Sequence, residues 1–155
     1  MVNLIFTIGI SGAGKSRILK SYPQDIIVSP DEIRRELYGD ISNQSDQQKV
    51  WGIARSRLVQ LLNSGSDAIL DATNVDRKLR ISFMNAIKQL VKLPIKTTAI
   101  VIDVDLEVAK KRVRSDIENG VDRSDVPNFA IDRMYQKFQN GLSSVEAEFD
   151  EVIYV

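Results

Sequence analysis

Residues 6–16 read Phe6-Thr7-Ile8-Gly9-Ile10-Ser11-Gly12-Ala13-Gly14-Lys15-Ser16. The last eight satisfy the pattern Gly-x-x-x-x-Gly-Lys-Ser/Thr, and the β-branched apolar run Val2–Ile8 in front of them has the composition of a strand. The glycines let successive backbone N–H groups converge on phosphate oxygens. A helix opening after the loop adds the positive end of its dipole. Lys15 can reach the outer phosphates of a triphosphate, and the Ser16 hydroxyl can ligate Mg²⁺. Gly9, Ser11, Gly12, Ala13, Gly14, Lys15 and Ser16 are therefore candidate binding residues for ATP or another nucleoside triphosphate. The pattern predicts the ligand and is silent about the reaction.

Outward from this loop, strand-like and helix-like segments alternate, the pattern of an α/β domain with a parallel sheet. Ile26–Ser29 reads as a second strand. Ser29-Pro30-Asp31-Glu32 then reads as a helix start, with Ser at the N-cap, Pro at N1 and Glu at N3. Ser45-Asp46-Gln47-Gln48 opens a longer helix with Val50, Ala54, Leu58, Leu61 and Leu62 on one face, ended by Gly65. Asp67–Asp71 is the third strand. Asp76 caps a helix with Leu79, Phe83, Ile87 and Leu90 on its apolar stripe. Lys96–Val104 is the fourth strand. Asp105 caps a helix with Leu106, Ala109, Val113 and Ile117 inward, interrupted at Asn119-Gly120. An amphipathic helix follows Pro127, and Val152–Val155 closes the chain as a fifth strand. Trp51 and the stripe Met134, Tyr135, Phe138 read as packing residues.

Composition narrows the chemistry. The 155 residues fit a single domain spanning 1–155. Hydrophobic residues make up 43% and charged residues 27%, ordinary values for a folded globular chain. No apolar run is long enough to span a membrane, so a soluble, cytoplasmic protein is expected. The chain has neither Cys nor His. Thiolate nucleophiles, His bases, and Cys or His metal sites are excluded. Catalysis is left to carboxylates, Lys, Arg, hydroxyls, backbone amides and a hard metal ion. Lys plus Arg is 21 and Asp plus Glu is 21. A neutral chain is not expected to coat long nucleic acid, although gripping a strand end remains open.

Asp31 lies just beyond the second strand and three residues before Arg34, on the same helical face. The carboxyl ends of strands are where open α/β sheets bind ligands. A carboxylate there can accept a proton from an attacking hydroxyl, and an Arg can fix an anionic acceptor. The bland alternative is a carboxylate favoured by the helix dipole and a surface Arg. Asp71, Thr73 and Asn74 follow the third strand at the same end, with turn formation as their alternative role. Asp71 is a candidate for a Mg²⁺-bound water, and Asp103 after the fourth strand is a rival. Lys110-Lys111-Arg112-Val113-Arg114 and Arg123 flank Asn119-Gly120. They suit a mobile lid at about 110–127 whose arginines meet phosphate charge, or else a solvated helix face.

Taken together, Gly9–Ser16, the Ser29-Pro30-Asp31-Glu32-Ile33-Arg34 run, Asp71-Ala72-Thr73-Asn74-Val75 and the arginines before Val126-Pro127 resemble the polynucleotide 5′-hydroxyl kinase family over nearly the whole chain. The resemblance implies an adenylate-kinase-like P-loop NTPase fold with strand order 2-3-1-4-5, helices on both faces and an Arg-bearing lid. It implies transfer of the γ-phosphate of ATP or another NTP, with Mg²⁺, to the 5′-OH end of DNA or RNA. It implies Asp31 as general base, Lys15, Arg34 and Arg123 as further catalytic residues, and Ser16 as the metal ligand. By the same resemblance Arg34, Asp71, Thr73 and Asn74 line the acceptor side, and Arg112 and Arg123 act as lid arginines toward ATP. The family often shows Arg-Asn followed shortly by a second Arg, whereas here Arg112 precedes Val113 and Arg114, and Arg123 stands eleven positions on. No phosphatase or ligase domain accompanies these motifs, so only the kinase half of end healing is expected here, and a separate phosphatase or ligase partner stays open. Two other readings stay open: a P-loop kinase of a nucleotide, sugar or antibiotic (or a zeta-toxin-like kinase), and a regulatory NTPase or binding module. The absence of an Asn-Lys-x-Asp motif counts against a GTPase.

Overall fold

In the computed structural model, which describes residues 1–41, 43 and 46–155, β1 (Val2–Ile8) is the central strand of a five-stranded sheet. The others are β2 (Ile27–Val28), β3 (Ala68–Leu70), β4 (Ile95–Val101) and β5 (Glu151–Tyr154). The order is β2-β3-β1-β4-β5 and every pairing is parallel, with Ile5 opposite Ile69 on one side and Thr98 on the other. Leu4, Phe6 and Ile8 on one side of β1 and Ile5 and Thr7 on the other are all buried, so both faces of the sheet centre are covered. That is why this strand is continuously apolar rather than alternating. It also places the loop after β1 at the middle of the sheet.

The helices are α1 (Lys15–Leu19), α2 (Pro30–Tyr38), α3 (Gln47–Asn63), α4 (Arg77–Leu90), α5 (Leu106–Glu118), α6 (Asn128–Leu142) and α7 (Val145–Glu148). Their starts follow local chemistry. The Ser29 side chain accepts from the Glu32 N–H, Asp76 from Leu79, and Asp105 from Glu107 and Val108. The expected start of α3 at Ser45 lies outside the described residues; Asp46 caps this helix by accepting from the Lys49 N–H. Phe6 anchors the core, with the Phe83 and Phe149 rings at 6.3 and 5.7 Å and Trp51 edge-on to Phe83 at 5.2 Å. Burying each such side chain contributes about 1.5–3 kcal/mol.

Several expected boundaries shift. Ile26 ends a 3-10 turn and Ser29 is spent as a cap, which shortens β2 to two residues. Asp67 sits outside β3 because its carboxylate accepts from the Asn3 N–H. β4 stops at Val101, before Asp103, although the Ile102 N–H still reaches the Ile8 carbonyl. The stripe of α4 is also rotated. Leu79 is 69% exposed and Leu90 50% exposed, while Arg80, Met84 and Ile87 are buried. The buried ionic partner of Arg80 sets this rotation, and α7, which carries that partner, was not anticipated. Gly120, at φ 71°, follows the end of α5 rather than breaking it. Among the described residues, no helix is long and apolar enough to cross a membrane.

Candidate active site

The loop Gly9–Ser16 joins β1 to α1 as expected. Two of its glycines are sterically required. Gly12 has φ 82°, and a Cβ there would stand 2.3 Å from the Ala109 carbonyl oxygen of α5. Gly14 caps α1 at φ 99°. Gly12→Ala should therefore combine overpacking against backbone with a left-handed penalty, a loss of roughly 2–4 kcal/mol measurable by urea unfolding. Wild-type stability in this variant would show that α5 yields.

Lys15 folds onto its own loop, donating to the carbonyls of Gly9 at 3.1 Å and Ile10 at 2.9 Å. Burial lowers its pKa to about 8, Asp71 and Asp31 oppose that shift, and Arg123 reinforces it. Asp71 carries the complementary perturbation. Burial raises its pKa, Lys15 opposes the rise, and Asp31 and Glu32 add to it. The topology thus gathers Lys15, Asp31, Asp71 and Arg123 into one electrostatic neighbourhood. Asp103, the rival carboxylate, is exposed two residues beyond β4.

The first turn of α2 holds Asp31 and Arg34 as an ion pair at 2.7 Å. The Arg34 side chain is only 8% exposed and that of Asp31 is 53% exposed. A second Arg34 nitrogen donates to Gln47 Oε1 at 2.8 Å, while its Nε is buried without a partner among the described residues. Gln47 had no signal in the sequence, because it opens a different helix. Thr73, through its backbone carbonyl, and Asn74, through its side chain, bond to the β1 end of the phosphate loop. The Gly9 N–H donates to the Thr73 carbonyl at 3.0 Å, and the Asn74 amide donates to the Thr7 carbonyl at 2.8 Å, with Asn74 at φ 49°. These bonds fasten the turn after β3 to the start of the phosphate loop. Ser11 donates to the Met134 sulfur at 3.5 Å.

The segment 110–127 consists of most of α5 and the loop before α6. Arg112 reaches from α5 to the carbonyls of Gly12 and Ala13 at 3.2 and 3.4 Å. Arg123 pairs with Asp116, Arg114 with Asp125, and Arg35 of α2 with Asp122, all at 2.7–2.8 Å. The Nε atoms of Arg114 and Arg123 are buried without partners among the described residues. A cleft of about 420 Å³ opens beside Ser16 and Asp71 and is lined further by Ser29, Glu32, Glu36 and Arg57. Glu32 was legible only as a capping residue, and Glu36 and Arg57 carried no signal.

The donor set fits a hard divalent cation that arrives with a triphosphate. Among the described residues there is no group of three metal-ligating side chains. The Ser16 hydroxyl and the Asp71 carboxylate do, however, line one cleft. Hard oxygen donors of this kind suit Mg²⁺ that is otherwise held by phosphate and water.

The model of the AAA domain family matches residues 4–140. A protein of Chloroflexus aurantiacus assigned as a kinase superposes with TM-score 0.68 at 15% identity, covering 99% of this chain and 87% of that one. A fungal RNA kinase superposes with TM-score 0.67 at 15% identity, covering 99% and 74%. A chain of the Pnkp1/Rnl/Hen1 complex does so with TM-score 0.60 at 21% identity, covering 72% of this chain and 38% of the other. At these identities the likeness establishes the fold. No curated protein matches the chain in sequence.

Proposed function

The chain belongs to the AAA domain family, and we propose that it is a polynucleotide 5′-hydroxyl kinase, moving the γ-phosphate of ATP or another NTP to the 5′-OH of DNA or RNA. The observation that carries the reading is the Asp31–Arg34 pair. It joins a half-exposed carboxylate, open to a large acceptor, to a buried guanidinium whose Nε has no partner among the described residues, within the field of Lys15. The chain's superposition on a fungal RNA kinase and on the Pnkp1-containing complex supports the same acceptor class.

The step balances with the residues present. The acceptor hydroxyl loses its proton to Asp31 as its oxygen bonds to the γ-phosphorus. The bond from that phosphorus to the β–γ bridging oxygen breaks, and the nucleoside diphosphate leaves. Loop amides and Lys15 hold the donor phosphates, and Arg34 steadies an acceptor phosphate. Arg112 and Arg123 approach the phosphates from the lid side. Ser16, and Asp71 through water, would hold Mg²⁺, which would supply charge neutralisation to the triphosphate.

The test is direct. With Mg²⁺ and labelled ATP, label should appear on a 5′-OH oligonucleotide and not on its 5′-phosphorylated twin. Absence of transfer across DNA, RNA, blunt and recessed ends would remove the proposal. A second reading has its own observation. The cleft lined by Glu32, Glu36 and Asp71, with Lys20 and Arg57 also on its wall and Arg57 paired to Glu36, has the mixed donors and acceptors that suit a small polyhydroxy acceptor. A screen of small hydroxyl acceptors separates the two, because only the polynucleotide enzyme is competed by excess oligonucleotide.

A further inference from the structure

Arg80 is among the least exposed charged residues, with its side chain 1% exposed against 4% for Glu148. Its guanidinium spends every N–H it has. Nε donates to Glu148 Oε1 at 2.6 Å, and Nη2 donates to Glu148 Oε2 at 2.9 Å and to the Gly141 carbonyl at 3.3 Å. Nη1 donates to the carbonyls of Asn74 at 3.1 Å and Val75 at 3.4 Å. Glu148 also accepts from the Ser144 hydroxyl at 2.6 Å. Gly141 fits because a Cβ there would meet Arg80 Nη2 at 3.2 Å. Arg34, Arg114 and Arg123 are different, each keeping a buried Nε without a partner among the described residues. Arg80, with every N–H spent, grips the backbone of Asn74, Val75 and Gly141.

The backbone it grips is the turn that carries Asp71. Asn74 stands in the left-handed region at φ 49°, a conformation that Asn tolerates only at some cost. Its carbonyl is held by Arg80 and its amide by the Thr7 carbonyl, while the Thr73 carbonyl is held by the Gly9 N–H. We propose that Arg80 is a positioning residue: through the Asn74 carbonyl it locks the Asp71–Asn74 turn, and so sets the Asp71 carboxylate beside Lys15 and Ser16, with α7 supplying the counter-charge Glu148. The C-terminal segment thereby acts on the triphosphate site without touching it. This rests on Asp71 being part of that site.

A double-mutant cycle tests it on the full chain with two probes: the affinity for a fluorescent ATP analogue, with Mg²⁺ and with chelator, and the melting temperature. Displacing a group that orients a metal-site residue typically costs about 10–100-fold. Glu148→Gln should weaken Mg²⁺-dependent binding by about tenfold or more, and leave binding in chelator unchanged. In an Asp71→Asn background Glu148→Gln should cost nothing further in affinity, yet lower the melting temperature as much as it does alone. Arg80→Lys, which offers three donors instead of five, should reproduce the Glu148→Gln result and carries the test if Glu148→Gln does not fold. Losses in affinity that multiply across the cycle, or a lowered melting temperature with unchanged affinity, would overturn the positioning role while leaving Asp71 in its site. Wild-type affinity in Asp71→Asn would overturn the premise instead.

Discussion

Asp31→Ala should slow phosphoryl transfer to a 5′-OH oligonucleotide by about 10²–10⁴-fold, the usual contribution of a positioned general base, with nucleotide affinity close to wild type. The split follows from geometry. Asp31 stands on α2, outside the Gly9–Ser16 loop, and its contact is with Arg34. Asp31→Ala also takes the carboxylate from Arg34, whose side chain is 8% exposed, so a melting curve should accompany the rate measurement. Asp31→Asn separates the two things the side chain does. It keeps an oxygen for Arg34 to donate to and removes the base, so it should be as slow as the alanine variant. Rapid-quench transfer and equilibrium nucleotide binding measure both quantities, and near-normal turnover in either variant removes Asp31 from the reaction.

Lys15→Ala should fail differently, losing nucleotide affinity and about 10²–10³-fold in turnover, because its charge meets the phosphates in the ground state and the transition state alike. A pH signature accompanies it. With the Lys15 pKa lowered from 10.5 to about 8 by burial, the folded chain sheds this proton at a pH where the unfolded chain still holds it. Between those values the unfolded state binds more protons, so this group makes stability rise with pH, and the charged ammonium costs the fold below that window. A bound triphosphate reverses the preference by favouring the ammonium. Nucleotide binding at about pH 9 should therefore take up a proton, seen as a dependence of calorimetric heat on buffer ionisation enthalpy and lost in Lys15→Ala. Equal heats in all buffers would mean that Lys15 binds phosphate without changing its protonation.

The residues that were legible are those whose chemistry is local. A strand, three glycines, a lysine and a hydroxyl within a few positions specify a phosphate loop, because its ligands are mostly backbone groups of that same stretch. Ser29, Asp76 and Asp105 announce helix starts because each caps an N–H two or three residues on. Asp31 and Arg34 share a face by spacing alone. The alternation of elements was enough for a parallel α/β sheet, and the likeness of motifs added the strand order.

Other features depend on residues far apart in the chain. Asp71 and Asp103 both follow apolar strands that flank β1, yet in the folded chain Asp71 comes under the influence of Lys15 while Asp103 stands exposed. Leu79 fits an apolar stripe by period, yet the Arg80–Glu148 pair, 68 residues apart, turns that helix so that Leu79 faces solvent. Gln47 meets Arg34 only because two helices pack. The sequence by itself determined the phosphate loop, the helix caps and the candidate carboxylate-arginine pair, since short-range hydrogen bonding and periodicity act before any tertiary contact exists. Tertiary structure alone decided which strand-end carboxylate faces the lysine and which arginine is buried as scaffold. Burial and charge compensation are properties of the space between elements, and no window along the chain contains them.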